Sequence, residues 1–204
     1  MWALVQNGQV TKTFNYAKGF VLNDTQYPKD IFTKWSQAEK EAIGIYEIIV
    51  DKTNYKDTEY YINTNSTIAF ANGQVTESWG TATPKRLNDE NAVDENNQPI
   101  LDEDGVQIIN YGLKTEKKRI VKDQAAGLLA KTDWYVVKAT EVADYTVPAD
   151  ITTYRAAVRA KSNQMETAID GAANVDALKA LYEYTNDGNG NITRPLGEWP
   201  EEVI

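Results

Sequence analysis

The 204-residue sequence contains no cysteine and no histidine. Without cysteine there is no disulfide framework, no thiolate nucleophile and no thiolate zinc site. Without histidine the usual general base and the commonest metal ligand are missing, which excludes Ser-His-Asp, Cys-His and HExxH chemistry. Neither GxxxxGK[ST] nor GxGxxG occurs, so no phosphate-binding glycine loop is present. No window approaches eighteen apolar residues, and Met1 to Val5 is cut short by Gln6-Asn7-Gly8 without a basic leader. Neither a membrane-spanning segment nor a Sec signal is therefore expected. Positive charge is scarce as well: 21 Lys and Arg face 30 Asp and Glu, a formal net charge of -9. That balance argues against nucleic acid as a partner, because counterion release needs clustered cations. The one basic cluster, Lys114, Lys117, Lys118 and Arg119, reads as the solvated face of a helix.

What is present is an ordinary globular composition, 42% hydrophobic and 25% charged. Asn7-Gly8 between Trp2 to Gln6 and Gln9 to Tyr16 predicts an opening β-hairpin, since both turn residues must accept positive φ. A second pair, Phe20 to Leu22 and Thr25 to Tyr27, brackets Asn23-Asp24. Pro28 then suits a helix start, with Ile31, Phe32 and Trp35 as the buried face. Ser36 with Glu39 reads as a capping box, and Gly44 as the stop before the strand "IYEIIV". From Glu59 to Thr83, period-two alternation around Asn72-Gly73 predicts a β-meander. "VQNGQVTKTF" and "FANGQVTESW" share Asn-Gly-Gln-Val-Thr, an echo that two copies cannot turn into a solenoid and that shared turn chemistry explains.

Leu87 to Asn110 is acidic and Asn-rich, and reads as a linker or a projecting hairpin built from "QPIL" and "VQII". Beyond it the period becomes helical. Ile120, Val121, Gln124, Ala125, Leu128 and Leu129 mark one amphipathic helix. Ile151, Tyr154, Val158, Lys161, Met165, Ala168 and Ala172 mark a longer one from Pro148. That heptad spacing offers either a seam for a homo-oligomer or a face packed on the first helix. Asn174 should cap a third helix burying Val175, Leu178, Leu181 and Tyr182. The expected class is α+β, with a β-rich docking domain at 1–86 that includes a short helix. A linker or hairpin at 87–113 and an antiparallel helical domain with an irregular tail at 114–204 follow.

Candidate chemistry is thin. Asp187, Asn189, Asn191 and Glu198 have the spacing of calcium-loop ligands, but Ile192 stands where the loop turns on glycine and "WPEEVI" supplies no exiting helix. Asp102-Glu103-Asp104 beside Gly105 reads as a solvated turn. No catalytic residue, metal or cofactor is expected, and the protein is read as non-enzymatic. Five Trp and 12 Tyr keep a carbohydrate-binding module as an alternative, because flat rings stack on sugars. The sharpest constellation is Thr132-Asp133-Trp134 followed by Tyr154-Arg155 and Val158-Arg159. It reads as a helical corner: Thr132 or Asp133 caps a turn, Trp134 packs between helices, and one Arg reaches Asp133.

That arrangement, with Leu128-Leu129 before it and Pro148 within it, resembles the carboxy-terminal segment of tail fibre assembly and tail assembly chaperone proteins of tailed bacteriophages. Ala3-Leu4-Val5 with Asn7-Gly8 and Val10 is similar to the opening of many small phage tail proteins. "WSQAEKEAIGIYEI", Trp35 to Ile48, resembles a stretch in tail-associated proteins of marine, cyanobacterium-infecting phages. The resemblance implies other tail, baseplate or fibre proteins as partners, and a place in the virion tail after assembly in the host cytoplasm. The spacer from Trp134 to Tyr154 is longer than the family pattern, and the acidic insertion and "RPLGEWP" lie outside it. A retained tail or baseplate component is therefore expected at least as much as a transient chaperone.

Overall fold

The computed structural model describes residues 1–186 and 188–203 and divides into two units, Met1–Thr83 and the chain from Pro84 onward. The class is α+β, strands first and helices after. In the first unit β1 (Trp2–Gln6) and β2 (Gln9–Phe14) form the opening hairpin, with Asn7 at φ 52° and Gly8 at φ 75°. β3 (Phe20–Leu22) pairs with β4 (Thr25–Tyr27) across Asn23-Asp24, also both at positive φ. The capping box forms as read: Ser36 N–H donates to Glu39 Oε2 at 2.7 Å, and Glu39 N–H donates to Ser36 Oγ. It starts α2 (Gln37–Ala42), after the single turn α1 (Ile31–Lys34). Gly44 then turns the chain at φ 83°; a Cβ there would meet the Val5 carbonyl oxygen at 2.5 Å. This close approach lets β5 (Ile45–Asp51) lie beside β1.

The predicted meander is corrected in one respect. β7 (Ser66–Ala71) and β8 (Gln74–Trp79) are a hairpin, but β8 joins the sheet parallel to β5, giving the order β2-β1-β5-β8-β7. Within this sheet, consecutive strands are adjacent only where a tight turn joins them. The segment between β5 and β7 instead crosses over, carrying the short β6 (Tyr61–Ile62), which ladders with β9 (Thr83–Pro84). The edges β2 and β7 curl toward contact around a core of Ala3, Ile48 and Val75, with Val5, Val10 and Phe70 beside it. Trp2, Leu4 and Ile45 face the other way, onto an aromatic cluster of Phe14, Phe20 and Phe32 under α1. Val10 and Phe14 have the same parity, yet serve opposite faces. A bulge between Val10 and Lys12 leaves Thr11 unpaired and switches the face, as an extra residue in a period-two strand must. The second Asn-Gly-Gln-Val-Thr hairpin has no such shift. The echo is therefore shared turn chemistry, and the strands that follow it differ.

In the second unit α3 (Leu113–Ala130) and α5 (Ala149–Gly171) are antiparallel: Lys118 at the start of α3 pairs with Asp170 at the end of α5, at 2.8 Å. The heptad expectation is corrected by one residue at two places. Ser162 and Ile169, rather than Lys161 and Ala168, complete the buried stripe with Ile151, Tyr154, Val158, Met165 and Ala172. That stripe is filled within the chain by α3 and its neighbours, so it is not an open oligomer seam. The basic cluster is corrected too, because Lys117 is buried, with Nζ 4.6 Å from the Tyr182 ring centre. Asn174 caps α6 (Val175–Ala180), its side chain accepting from Ala177 N–H at 2.8 Å. Val175 and Leu178 are buried, whereas Leu181 and Tyr182 are half-buried. The "RPLGEWP" tail returns to α3: Leu196 is buried, and Trp199 Nε1 donates to Gln124 Oε1 at 3.1 Å. β12 (Thr185–Asn186) and β13 (Ile192–Thr193) form a hairpin ahead of it. Ile192 thus lies in a strand where a calcium loop would turn; Asp187 is outside the described residues. Among the described residues no helix is long and apolar enough to cross a membrane.

Candidate functional site

Two features of the second unit carry most of its polar and exposed apolar chemistry. The first is the corner between α3, α4 (Asp133–Glu141) and α5. The expected cap is corrected: Thr132 is fully buried, and its hydroxyl caps nothing in α4, donating instead to Leu129 O at 2.9 Å. Arg155 reaches it from the first turns of α5, donating to Thr132 Oγ1 at 2.7 Å and to Leu129 O at 2.9 Å. Its second terminal nitrogen meets Asp133 Oδ1 at 2.8 Å, so the Arg–Asp133 pair read from spacing is present. The planar fork of arginine suits this task, because one side chain must serve a carbonyl, a hydroxyl and a carboxylate at once. α3 ends at Ala130, and the guanidinium adds a charged donor to Leu129 O, which also accepts from Thr132 N–H at 3.0 Å.

Tyr154 and Val158, predicted at this corner, are buried in the cluster with Ala125 that Leu128, Leu129 and Trp199 cover. Burial pushes the Tyr154 phenol upward from its ordinary pKa. Arg159 stays at the surface. Trp134 does not pack between the helices, which overturns the expectation. It is 52% exposed, tilted over Tyr135 with ring centres 3.9 Å apart, and α4 buries none of its residues. Helical geometry explains this: Thr132, two positions earlier, takes the inward place, and residues two apart face away from each other. Val136, Val137 and Val142 are exposed with it, and Lys138 Nζ sits 4.3 Å from the Tyr145 ring centre.

The second feature is the segment read as a linker or a projecting hairpin, and "QPIL" does pair antiparallel with "VQII": Leu101 bridges Gln107 across the Asp102–Gly105 turn. The chain from Arg86 to Asp89 lies against the start of α3, whose first free N–H groups it satisfies. Leu113 N–H donates to Arg86 O at 2.9 Å, Lys114 N–H to Leu87 O at 3.0 Å, and Gly112 N–H to Asp89 Oδ1 at 2.8 Å. Thr115 Oγ1 donates to the other Asp89 oxygen, and these two bonds hold the carboxyl below its ordinary range. Gly112 is required by space, since a Cβ would lie 2.5 Å from the Asn88 carbonyl. Between these anchors the chain makes three short extended segments in a closed ring. Ala92 N–H donates to Ile108 O, Ile108 N–H to Ile100 O, and Ile100 N–H to Ala92 O, at 2.8 to 2.9 Å. β10 (Glu90–Asn91) pairs with β11 (Ile109–Asn110), and bridges join Val93 to Pro99 and Leu101 to Gln107. Gln107 Nε2 donates into the ring, 2.8 Å from Ala92 O and Ile108 O and 3.1 Å from Ile100 O.

The ring has a sequence signal that spacing analysis of "QPIL" and "VQII" missed. "VDENNQPI" and "LDEDGVQI" repeat at eight residues. Asp94 and Asp102 each accept backbone N–H groups from two and four residues ahead, and Asn97 and Gly105 both take positive φ. Asp102-Glu103-Asp104 is thus a turn closed by its own carboxylate. The most exposed aromatics, Tyr16, Tyr111, Trp134 and Tyr184, each sit on a different segment. Compared with known proteins, the chain matches no family model, no curated protein and no solved structure.

Proposed function

We propose that the protein is a non-enzymatic, tail-associated component of a tailed bacteriophage, a tail, baseplate or fibre structural or adaptor protein that acts by docking on other phage proteins. One observation carries the docking part of this reading. Trp134 is held out to solvent on a helix whose root is fixed by the buried Arg155. A large, rigid aromatic offered this way gains contact area at little entropic cost, the usual character of an interface anchor. The phage assignment rests on the resemblance of the segments at the start, at Trp35 to Ile48 and around Trp134.

Cosedimentation of the protein with purified particles of its phage tests it. Retention at a fixed copy number through high salt is expected, because an apolar contact is poorly screened. Absence from particles, together with capture by fibre subunits in infected-cell lysate, would replace it with a transient assembly factor of the host cytoplasm. Absence from both would remove the tail assignment.

A further inference from the structure

The ring element exposes side chains that a monomer's surface does not ordinarily collect. Val93, Leu101 and Ile109 occupy equivalent places eight residues apart around the ring, and are 48%, 52% and 43% exposed. Val106 and Tyr111 are more exposed still. The element buries only Ala92 among its own residues, since its three segments are only a few residues long. With Ile100 and Ile108, the exposed residues make seven large apolar side chains within one short hydrogen-bonded element, a density that marks an interaction face.

Charge selects what covers it. Residues 87–111 hold seven carboxylates, at positions 89, 90, 94, 95, 102, 103 and 104, and no Lys or Arg, so they carry -7 of the chain's formal -9. A second copy apposed through this face would bring the same charge against it, and like charges juxtaposed across an interface cost several kcal/mol. Nucleic acid and anionic lipid are disfavoured on the same ground. We infer that residues 87–111 form a docking knob for a partner protein whose contact surface is apolar at its centre and edged by lysine and arginine. The closed ring and the double anchor on α3 leave little to order on binding, so the contact loses little to entropy. The inference rests on the reading as a docking protein, and adds a second face and its partner's chemistry.

A photoreactive amino acid placed at Leu101 of the full-length protein tests it, with irradiation in two probes: purified phage particles and the soluble fraction of infected cells. Cross-links are expected on a surface where Lys or Arg flank aliphatic residues. Charge reversal by Glu95→Lys, Glu103→Lys and Asp104→Lys together should lower the yield by about ten-fold or more at low salt. The wild-type yield should itself fall as salt rises. The milder Leu101→Ser variant, at an exposed position, should retain the wild-type melting profile and lose binding to the surface so identified. Cross-links only between copies of this chain, cross-links to an acidic surface, a yield indifferent to charge reversal, or no cross-link in either probe would each overturn the inference. Cosedimentation with particles but no Leu101 cross-link sinks the knob and leaves tail association standing. A cross-link to a basic-edged surface in the soluble fraction, without cosedimentation, does the reverse.

Discussion

Arg155 donates to the buried hydroxyl of Thr132 across 2.7 Å, while the Asp133 that shares the same guanidinium is largely exposed. The bond to Thr132 therefore outweighs the ion pair. Hydrogen bonds from a charged donor to buried acceptors contribute about 1.5 to 3 kcal/mol, whereas an ion pair with one exposed partner contributes at most about 1 kcal/mol. Arg155→Met should lower unfolding free energy in urea by about 1.5 to 3 kcal/mol, since the buried Thr132 hydroxyl loses its charged donor while Leu129 O keeps the Thr132 N–H. Asp133→Asn should cost less than about 1 kcal/mol. Equal losses would mean that the salt bridge holds the corner.

Trp134→Ala separates contact from packing. With the ring half in solvent and no buried neighbour on α4, the variant should melt within about 0.5 kcal/mol of wild type, while binding to the proposed tail partners should weaken. A loss of 3 kcal/mol or more, the scale of a buried Trp truncation, would show that the side chain belongs to the core.

The anchor of the acidic ring should be sensitive to acid. Asp89 has its pKa lowered in the folded protein, first by the Gly112 N–H and then by the Thr115 hydroxyl. A depressed carboxyl stabilises fully above its unfolded value of about 3.9 and loses that contribution as pH falls through its folded value. Amide exchange at Gly112 and Leu113 should therefore accelerate in acid below the ordinary carboxylate range. In Asp89→Asn the two amides should exchange faster at neutral pH and show no further step on acidification.

Gln107 should be intolerant of its nearest isostere. Its amide nitrogen faces three carbonyl oxygens, so Gln107→Glu sets an acceptor against acceptors. The loss of these bonds is worth about 1 to 3 kcal/mol locally. It should appear as faster amide exchange at Ala92, Ile100 and Ile108, with α3 and α5 unaffected. A Glu-specific protease should then cut the variant at Glu95 and Glu103 sooner than wild type. Unchanged exchange would mean that the backbone ring stands without its central amide.

Turns and caps were the most legible parts of the sequence, because their chemistry is local. Asn7-Gly8, Asn23-Asp24 and Asn72-Gly73 dictate positive φ by themselves, and Ser36 and Glu39 dictate a reciprocal cap within one turn. Parallel pairing of β8 with β5 was not legible, since it depends on a crossover whose route no local pattern encodes. The corner was half legible. Spacing brought Arg155 to Asp133, but which of Thr132 and Trp134 turns inward depends on where α4 begins, and a boundary error of one residue rotates a helix face by about 100°. The acidic segment was also half legible: the pairing of "QPIL" with "VQII" was readable, its third extended segment was not. Composition marked it as a boundary, while its eight-residue repeat and the fit of Gly112 against Asn88 tie it to the helical unit.

The chain enters the ring element at Arg86 to Asp89 and leaves it at Gly112 to Thr115, and these two stretches are hydrogen-bonded to each other. Topologically the element is a cassette whose two ends occupy one address. Replacing everything between Glu90 and Tyr111 by a short turn keeps the bonds that start α3, and loop-closure cost changes only slowly with length. The proposed docking face can therefore be exchanged as a single insertion or deletion between two stretches that stay bonded to each other.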